Sequence, residues 1–268
     1  MQASAIVRPP AVAGRFYPGN AAALAQVIRD FLRDAPTPPR AAKGIIAPHA
    51  GYIYSGAIAA TAYAHLAPRA AEIRRVLLLG PAHRVYVEGL ALPGAGRLAT
   101  PLGEIEVDAE LARELAALPC VSRSPEAHAL EHSLEVHLPF IQVLLPQAKV
   151  VPLVVGDARP AQVADVLRAG WGGPETAIVI SSDMSHFHPY AEAARIDAAT
   201  AARIIADTGP GIDPRQACGA RGIDGLLELQ RERPLELELL ELKNSGDTAG
   251  DKARVVGYAS FAIHEGRR

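Results

Sequence analysis

The sequence predicts an α/β fold: a single domain with a mixed, mainly parallel sheet and helices on both faces. Three observations predict it. Apolar runs of four to seven residues recur along the chain, each ends in a polar loop, and most loops lead into a helical stretch. Continuous apolar strands alternating with helices mark a sheet buried on both faces. A chain of 268 residues buries roughly three quarters of its unfolded surface. No repeat, low-complexity tract or long linker divides residues 1–268.

The elements follow in order. Asn20 is placed to cap a helix over residues 21–34, with Leu24, Val27, Ile28, Phe31 and Leu32 on one stripe. The stiff connection Ala35-Pro-Thr-Pro-Pro-Arg40 follows. A strand Gly44–Ala47 runs into Pro48-His49-Ala50-Gly51-Tyr52 and then the helix-like AIAATAYAHL. A strand at 75–79 runs into Gly80-Pro81-Ala82-His83. A strand at 149–155 leads to a helix with Pro160 near its start and Gly170 after its end. A strand at 176–180 runs into Ser181-Ser-Asp-Met-Ser-His186, then a long helix near 190–207. Asp213 and Pro214 read as the cap and first position of a further helix, with Cys218 near its start. At the tail, LELELLELKN (235–244) and 255–263 read as an antiparallel pair beside the parallel strands.

Composition excludes several function classes. Charged residues make up 21% of the chain, the net charge is −2, and no basic block stands out, so the footprint of a nucleic-acid binder is missing. Aromatic residues are sparse at 5%, too few for base-stacking platforms. No apolar run approaches the roughly 18 residues that span a membrane. The start, MQASAIVRPPAVAG, lacks the apolar core of a signal peptide. Two cysteines, Cys120 and Cys218, do not make a disulfide framework. A soluble, cytoplasmic protein with no nucleic-acid or membrane partner is expected.

Nine histidines are present, and three of them, His49, His83 and His186, lie just beyond the carboxyl end of an expected parallel strand. Ligand crevices of open α/β sheets lie outside those ends. Three strands would thus bring imidazoles to one rim, together with Asp183. The spacing itself is no zinc-finger or metalloprotease motif. A second cluster is Glu131-His132-Ser133-Leu134-Glu135-Val136-His137. On a continuous helix His132 and His137 would stand about 140° apart, so the pair does not chelate as a unit. The segment is either a solvated helical face or the lining of a polar pocket, since these groups are costly to bury without partners. Cys218 reads either as a thiol of lowered pKa at a helix start or as a buried apolar residue. No Gly-x-Ser-x-Gly elbow, Walker loop or complete dinucleotide loop is present.

Taken together, Ala13-Gly-Arg-Phe-Tyr-Pro18, Ala47-Pro-His-Ala-Gly-Tyr52, Gly80-Pro-Ala-His83, Thr100-Pro-Leu-Gly-Glu104, Glu131–Phe140, Ser181–His186 and Asn244-Ser-Gly-Asp247 resemble the Memo family, called AmmeMemoRadiSam system protein B in prokaryotes. The motifs run in order from about residue 8 to residue 263, so the whole chain is expected to form a single Memo-like domain. The resemblance implies a fold similar to class III extradiol ring-cleavage dioxygenases, whose non-haem iron is held by two histidines and a carboxylate. It implies His49, His83 and Cys218 as metal ligands, with iron(II) (Fe2+) as the metal and copper or zinc as competitors. His186 and Asp183 match the catalytic acid–base positions. Phe16, Tyr54, His132, Glu135 and His137 are the implied substrate-binding residues. The implied function is a metal-dependent oxidoreductase acting on a small molecule. A functional link to a radical SAM enzyme and an AMMECR-type protein is also implied. The alternatives are a phosphopeptide-binding adaptor or a metal-handling protein using the same pocket.

Overall fold

The computed structural model of the chain describes residues 6–206 and 209–266. In chain order its elements are β1 (Val7–Arg8), α1 (Ala21–Asp34), β2 (Gly44–Ala47), α2 (Tyr52–Ala64), β3 (Arg75–Pro81), β4 (Leu90–Leu92), β5 (Arg97–Thr100) and β6 (Gly103–Glu106). Then come α3 (Ala109–Leu115), β7 (Val121–Arg123), α4 (Pro125–Ala129), α5 (His132–Glu135), α6 (Leu138–Leu144), β8 (Lys149–Val155) and α7 (Pro160–Gly170). The last third holds β9 (Thr176–Ser181), β10 (His186–His188), α8 (Tyr190–Ile205), α9 (Ala220–Gln230), β11 (Leu235–Asn244), α10 (Ser245–Thr248) and β12 (Val255–Glu265).

Four parallel strands in the order β2-β9-β3-β8 form the middle of the main sheet. Their side chains are almost all buried, as strands covered on both faces require. Antiparallel strands flank them: β12 on β2, with β11 paired along its length, and β4 on β8. The fold is therefore the mixed α/β sheet that the apolar runs predict. A small second sheet, β1-β5-β6, ties the amino-terminal segment to the body.

Helices cover both faces. A side chain at Gly170 of α7 would press on Leu77 of β3, whereas one at Gly80 would strike Ser133 and Leu134 of α5. Leu77 and Gly80 are an odd number of residues apart on one strand and so point to opposite faces. The helices α7 and α9 pack together on one side, while α1, α2 and α6 form a second group.

Three elements depart from the sequence reading. The second helix begins at Tyr52, earlier than the AIAATAYAHL stretch, and Gly56 in its interior gives room to the Phe31 ring of α1. No helix starts at Asp213; residues 214–216 form a turn in which Asp213 accepts from Arg215 N at 2.9 Å, and α9 begins at Ala220. The long helix ends at Ile205, and residue 207 of the expected helix lies outside the described residues. No helix among the described residues is long and apolar enough to cross a membrane.

Candidate functional site

The site is set by parallel pairing. Strand β9 lies between β2 and β3, and all three run the same way, so their carboxyl ends share one rim. His49 follows β2, His83 follows β3, and Ser181 and Asp183 close and follow β9. His132, the first residue of α5, completes the group. Gly80 makes that approach possible, because a Cβ there would stand 2.8 Å from both Leu134 Cδ2 and Ser133 Oγ. Any other residue would push α5 away from the strand that carries His83.

His49, His83 and His132 each offer a ligand nitrogen, and these atoms all lie within 4.8 Å of one another. The ring centroids are 5.3 Å apart for His49 and His83, 5.4 Å for His49 and His132, and 4.7 Å for His83 and His132. Of the three, His49 is buried, His132 half-buried and His83 exposed, and imidazoles this close would repel one another if protonated.

Hydrogen bonds fix two of the tautomers. His49 Nδ1 lies 2.6 Å from Ser181 Oγ, and Ser181 Oγ donates to the Ser133 carbonyl at 2.7 Å. The hydroxyl has a single hydrogen, so toward His49 it can only accept, and the imidazole proton sits on Nδ1. His83 Nδ1 is 2.8 Å from Glu131 Oε1, a carboxylate that can only accept. With Nδ1 occupied, Nε2 is the nitrogen that a neutral ring would offer to a ligand in both cases. Burial, and then the charges of His83, His132 and His137, drive the His49 pKa well below its ordinary value, so this ring is neutral.

Glu131 anchors the group. It accepts from His83 N at 2.6 Å and from His132 N and Ser133 N at 3.0 Å each. Buried His132 Nδ1 lies 3.3 Å from the same carboxylate without a hydrogen bond. Burial alone would raise the Glu131 pKa; the contacts from His132, His83 and Ser133 outweigh it and hold the carboxyl far below the usual range.

Cys218 and Asp183 close the other side. His49 Nε2 is 3.5 Å from Cys218 Sγ and 3.9 Å from Asp183 Oδ2, while Asp183 Oδ1 accepts from His49 N at 2.8 Å. Cys218 Sγ accepts from Asp183 N at 3.2 Å, and Gly219 N donates to Ser182 Oγ at 3.0 Å. A Cβ at Gly219 would meet Ser181 O at 2.4 Å, so only glycine lets this loop lie against the end of β9. Burial, then the charge of Asp183, pushes the Cys218 thiol up. Of the two readings of Cys218, the lowered thiol pKa needed a helix start at Asp213; the sulfur instead sits among buried groups before α9, which favours the buried reading. Burial also raises the Asp183 pKa, against the His49 N–H bond and the charge of His186.

The remaining predicted residues are distributed as follows. His186 lies half-buried in β10, beside exposed Phe187, where the register with β12 shifts and Phe187 takes φ +64°. The Phe16 ring lies 4.9 Å from that of His132, and Phe16 O accepts from Tyr52 N at 2.7 Å. Tyr54 is partly exposed on the first turn of α2. The structure does not bring Glu135 and His137 into the histidine group. Glu135 pairs with Arg8 and accepts from Ala11 N at 2.8 Å, Val12 N at 3.0 Å and the Tyr17 hydroxyl at 2.5 Å. His137 is buried with Nδ1 3.1 Å from the Tyr63 hydroxyl. Sequence reasoning left out Ser181 and Glu131 as positioning groups. Their signal was present, since Glu131 adjoins His132 and Ser181 opens the Ser181–His186 motif.

His83 and Cys218 also line an open cleft of about 520 Å³, walled by Arg84, Tyr86, Asp157, Pro214 and Arg221.

The sequence matches the profile of the Memo-like protein family over residues 8–262. It is 34% identical to a MEMO1 family protein of Ignicoccus hospitalis over 285 aligned residues, covering 95% of this chain and 98% of the relative. A MEMO1 family protein of Methanothermobacter thermautotrophicus is 35% identical over 278 residues, covering 96% and 100%. One of Thermoplasma volcanium is 33% identical over 265 residues, covering 96% and 98%.

Proposed function

Because the chain belongs to the Memo-like protein family, we propose that it is a cytoplasmic metal-binding protein that works as a non-haem iron-dependent oxidoreductase on a small molecule. The observation that carries this reading is the histidine group: ligand nitrogens within 4.8 Å of one another, with the Nδ1 atoms of His49 and His83 already engaged. A metal-binding imidazole is oriented by a partner on its other nitrogen, and Ser181 and Glu131 are such partners.

The residues fit a divalent metal. His49 and His83 would hold it through Nε2, with His132 or Cys218 as the third ligand. Three imidazoles favour iron(II), zinc or copper, and a thiolate in the set would shift the preference toward copper(I) and zinc. A bound iron(II) would supply one-electron redox chemistry and a Lewis-acid position for a substrate oxygen.

The chain's own groups do the rest. Asp183 holds the loop that carries His49 through the His49 N–H bond. His186, half-buried on β10, is the proton donor or acceptor of this reading, and its charge acts on Asp183. Phe16, its ring tilted against that of His132, would supply an apolar contact for a substrate at this end of the group. A functional link to a radical SAM enzyme and an AMMECR-type protein belongs to the same proposal.

The test is metal content after anaerobic purification and reconstitution with iron(II), copper or zinc. Wild type should hold close to one metal per chain, and His49→Ala and His83→Ala should lose it. His132→Ala and Cys218→Ala, compared side by side, identify the third ligand. Wild-type protein that takes up none of the three metals overturns the reading and turns the search to phosphopeptide partners.

A further inference from the structure

We infer that the cleft beside His83 and Cys218 is a recognition site for a small organic anion, and that Arg84 is the residue that selects it. The inference rests on the reading of the rim as a substrate site and adds the class of substrate.

Two guanidinium groups and one carboxylate wall the cleft: Arg84, Arg221 and Asp157. Arg221 is already engaged. Its Nη2 is 2.8 Å from Asp157 Oδ1 and its Nη1 donates to Ala158 O at 3.0 Å. Asp157 thereby neutralises Arg221 and holds it against the wall. Among the described residues Arg84 has no hydrogen-bond or ion-pair partner, although it lines the same cleft. The wall therefore carries one uncompensated positive charge.

Its position gives that charge a use. Arg84 directly follows His83, so its Cα is about 3.8 Å from that of the histidine. A molecule whose anionic end meets Arg84 therefore lies in the cleft that His83 and Cys218 also line. A volume of about 520 Å³ suits a small molecule. A guanidinium presents a planar fork of donors that matches carboxylate and phosphate oxygens, so the shared chemistry is an oxyanion. The exposed ring of Tyr86, two residues on, offers an apolar surface for the body of the ligand.

The experiment uses metal-free protein, so that no anion can be drawn to a bound metal. Equilibrium affinities are measured for benzoate, for its neutral counterpart benzamide and for phenyl phosphate. At least one of the two anions should bind about tenfold tighter than benzamide. Arg84→Gln, an exposed change that leaves the thermal midpoint in place, should abolish the preference. Asp157→Asn, which frees Arg221, should enlarge it. Comparing the two anions tells carboxylate from phosphate recognition. The proposal is overturned if neither anion outruns benzamide, or if the preference survives in Arg84→Gln. Failure of metal uptake, by contrast, overturns the metal reading and leaves this result standing.

Discussion

The proton shared by His49 and Ser181 across 2.6 Å belongs to the histidine, because the serine gives its own to the Ser133 carbonyl. One hydroxyl thus links the end of β9 to the first turn of α5 and decides which nitrogen of His49 is open. Ser181→Ala removes both bonds and frees the ring to turn. Metal affinity should fall about 10- to 100-fold, and stability by about 1–3 kcal/mol for the unpaired buried groups. Competition against a chelator of known affinity, beside a urea titration, checks both; unchanged affinity refutes the tautomer argument.

Glu131 is predicted to matter twice. Its carboxylate receives His83 Nδ1 and three backbone N–H groups. Glu131→Gln keeps the shape but removes the charge and places a donor where only an acceptor fits. The expected outcome is a metal affinity reduced at least tenfold, together with a lower unfolding midpoint. Glu131→Gln protein with wild-type affinity would show that His83 is oriented by other groups.

The amino-terminal segment acts as a clamp on α5. Arg8 donates to His128 O at 3.0 Å and to Glu131 O at 2.8 Å and pairs with Glu135, which also receives Ala11 N, Val12 N and the Tyr17 hydroxyl. Breaking one partner of a buried pair costs about 3–5 kcal/mol, so Arg8→Ala and Glu135→Gln should each destabilise strongly. Tyr17→Phe should cost only about 1 kcal/mol. In the double variant the losses should fall short of their sum; additive losses would show that the two residues act independently.

Acid should weaken the fold through its buried histidines. Burial lowers the pKa of His128 to about 4 and of His137 to about 3. The unfolded chain takes up these protons near pH 6.5, while the folded chain refuses them until about pH 4 and 3. Their contribution is whole above pH 6.5 and is lost as pH falls, by up to about 1.4 kcal/mol per pH unit for each ring. The raised carboxyl pKa values of Asp183, Asp197 and Asp224 oppose this, so a difference is the proper measure. His137→Phe, placed beside Tyr63 and Phe140, should lose less stability than wild type between pH 7.5 and 5. Equal losses would contradict the assignment.

The frame of the site could be read from the sequence because it depends on local pattern. Apolar runs mark β2, β3 and β9, and residues just past parallel strands share a rim, so His49, His83 and Asp183 fall out together. Helix α1 was legible to its ends, since Asn20 accepts from Ala23 N at 3.0 Å. What could not be read depends on contacts between distant segments. His132 joins the group because Gly80 admits α5, and nothing in the spacing of Glu131–His137 says so. Glu135 was grouped with the pocket by its neighbours, but its partners come from residues 8–17. At Asp213 the carboxylate does accept from Arg215 N as a cap would, but the chain makes only one turn there and α9 begins at Ala220.

Arg8 and Glu135 stand 127 positions apart in the chain, and His49 and Cys218 169 positions apart. Contacts of such separation form late, after the loops between them have been closed. On the ribosome the histidines emerge long before Cys218, so a growing chain displays its imidazoles without the loop that completes the rim. Completion of the centre is thereby tied to completion of the fold, and a chain cut short before residue 218 would carry the histidines without the cysteine and glycine that close around them.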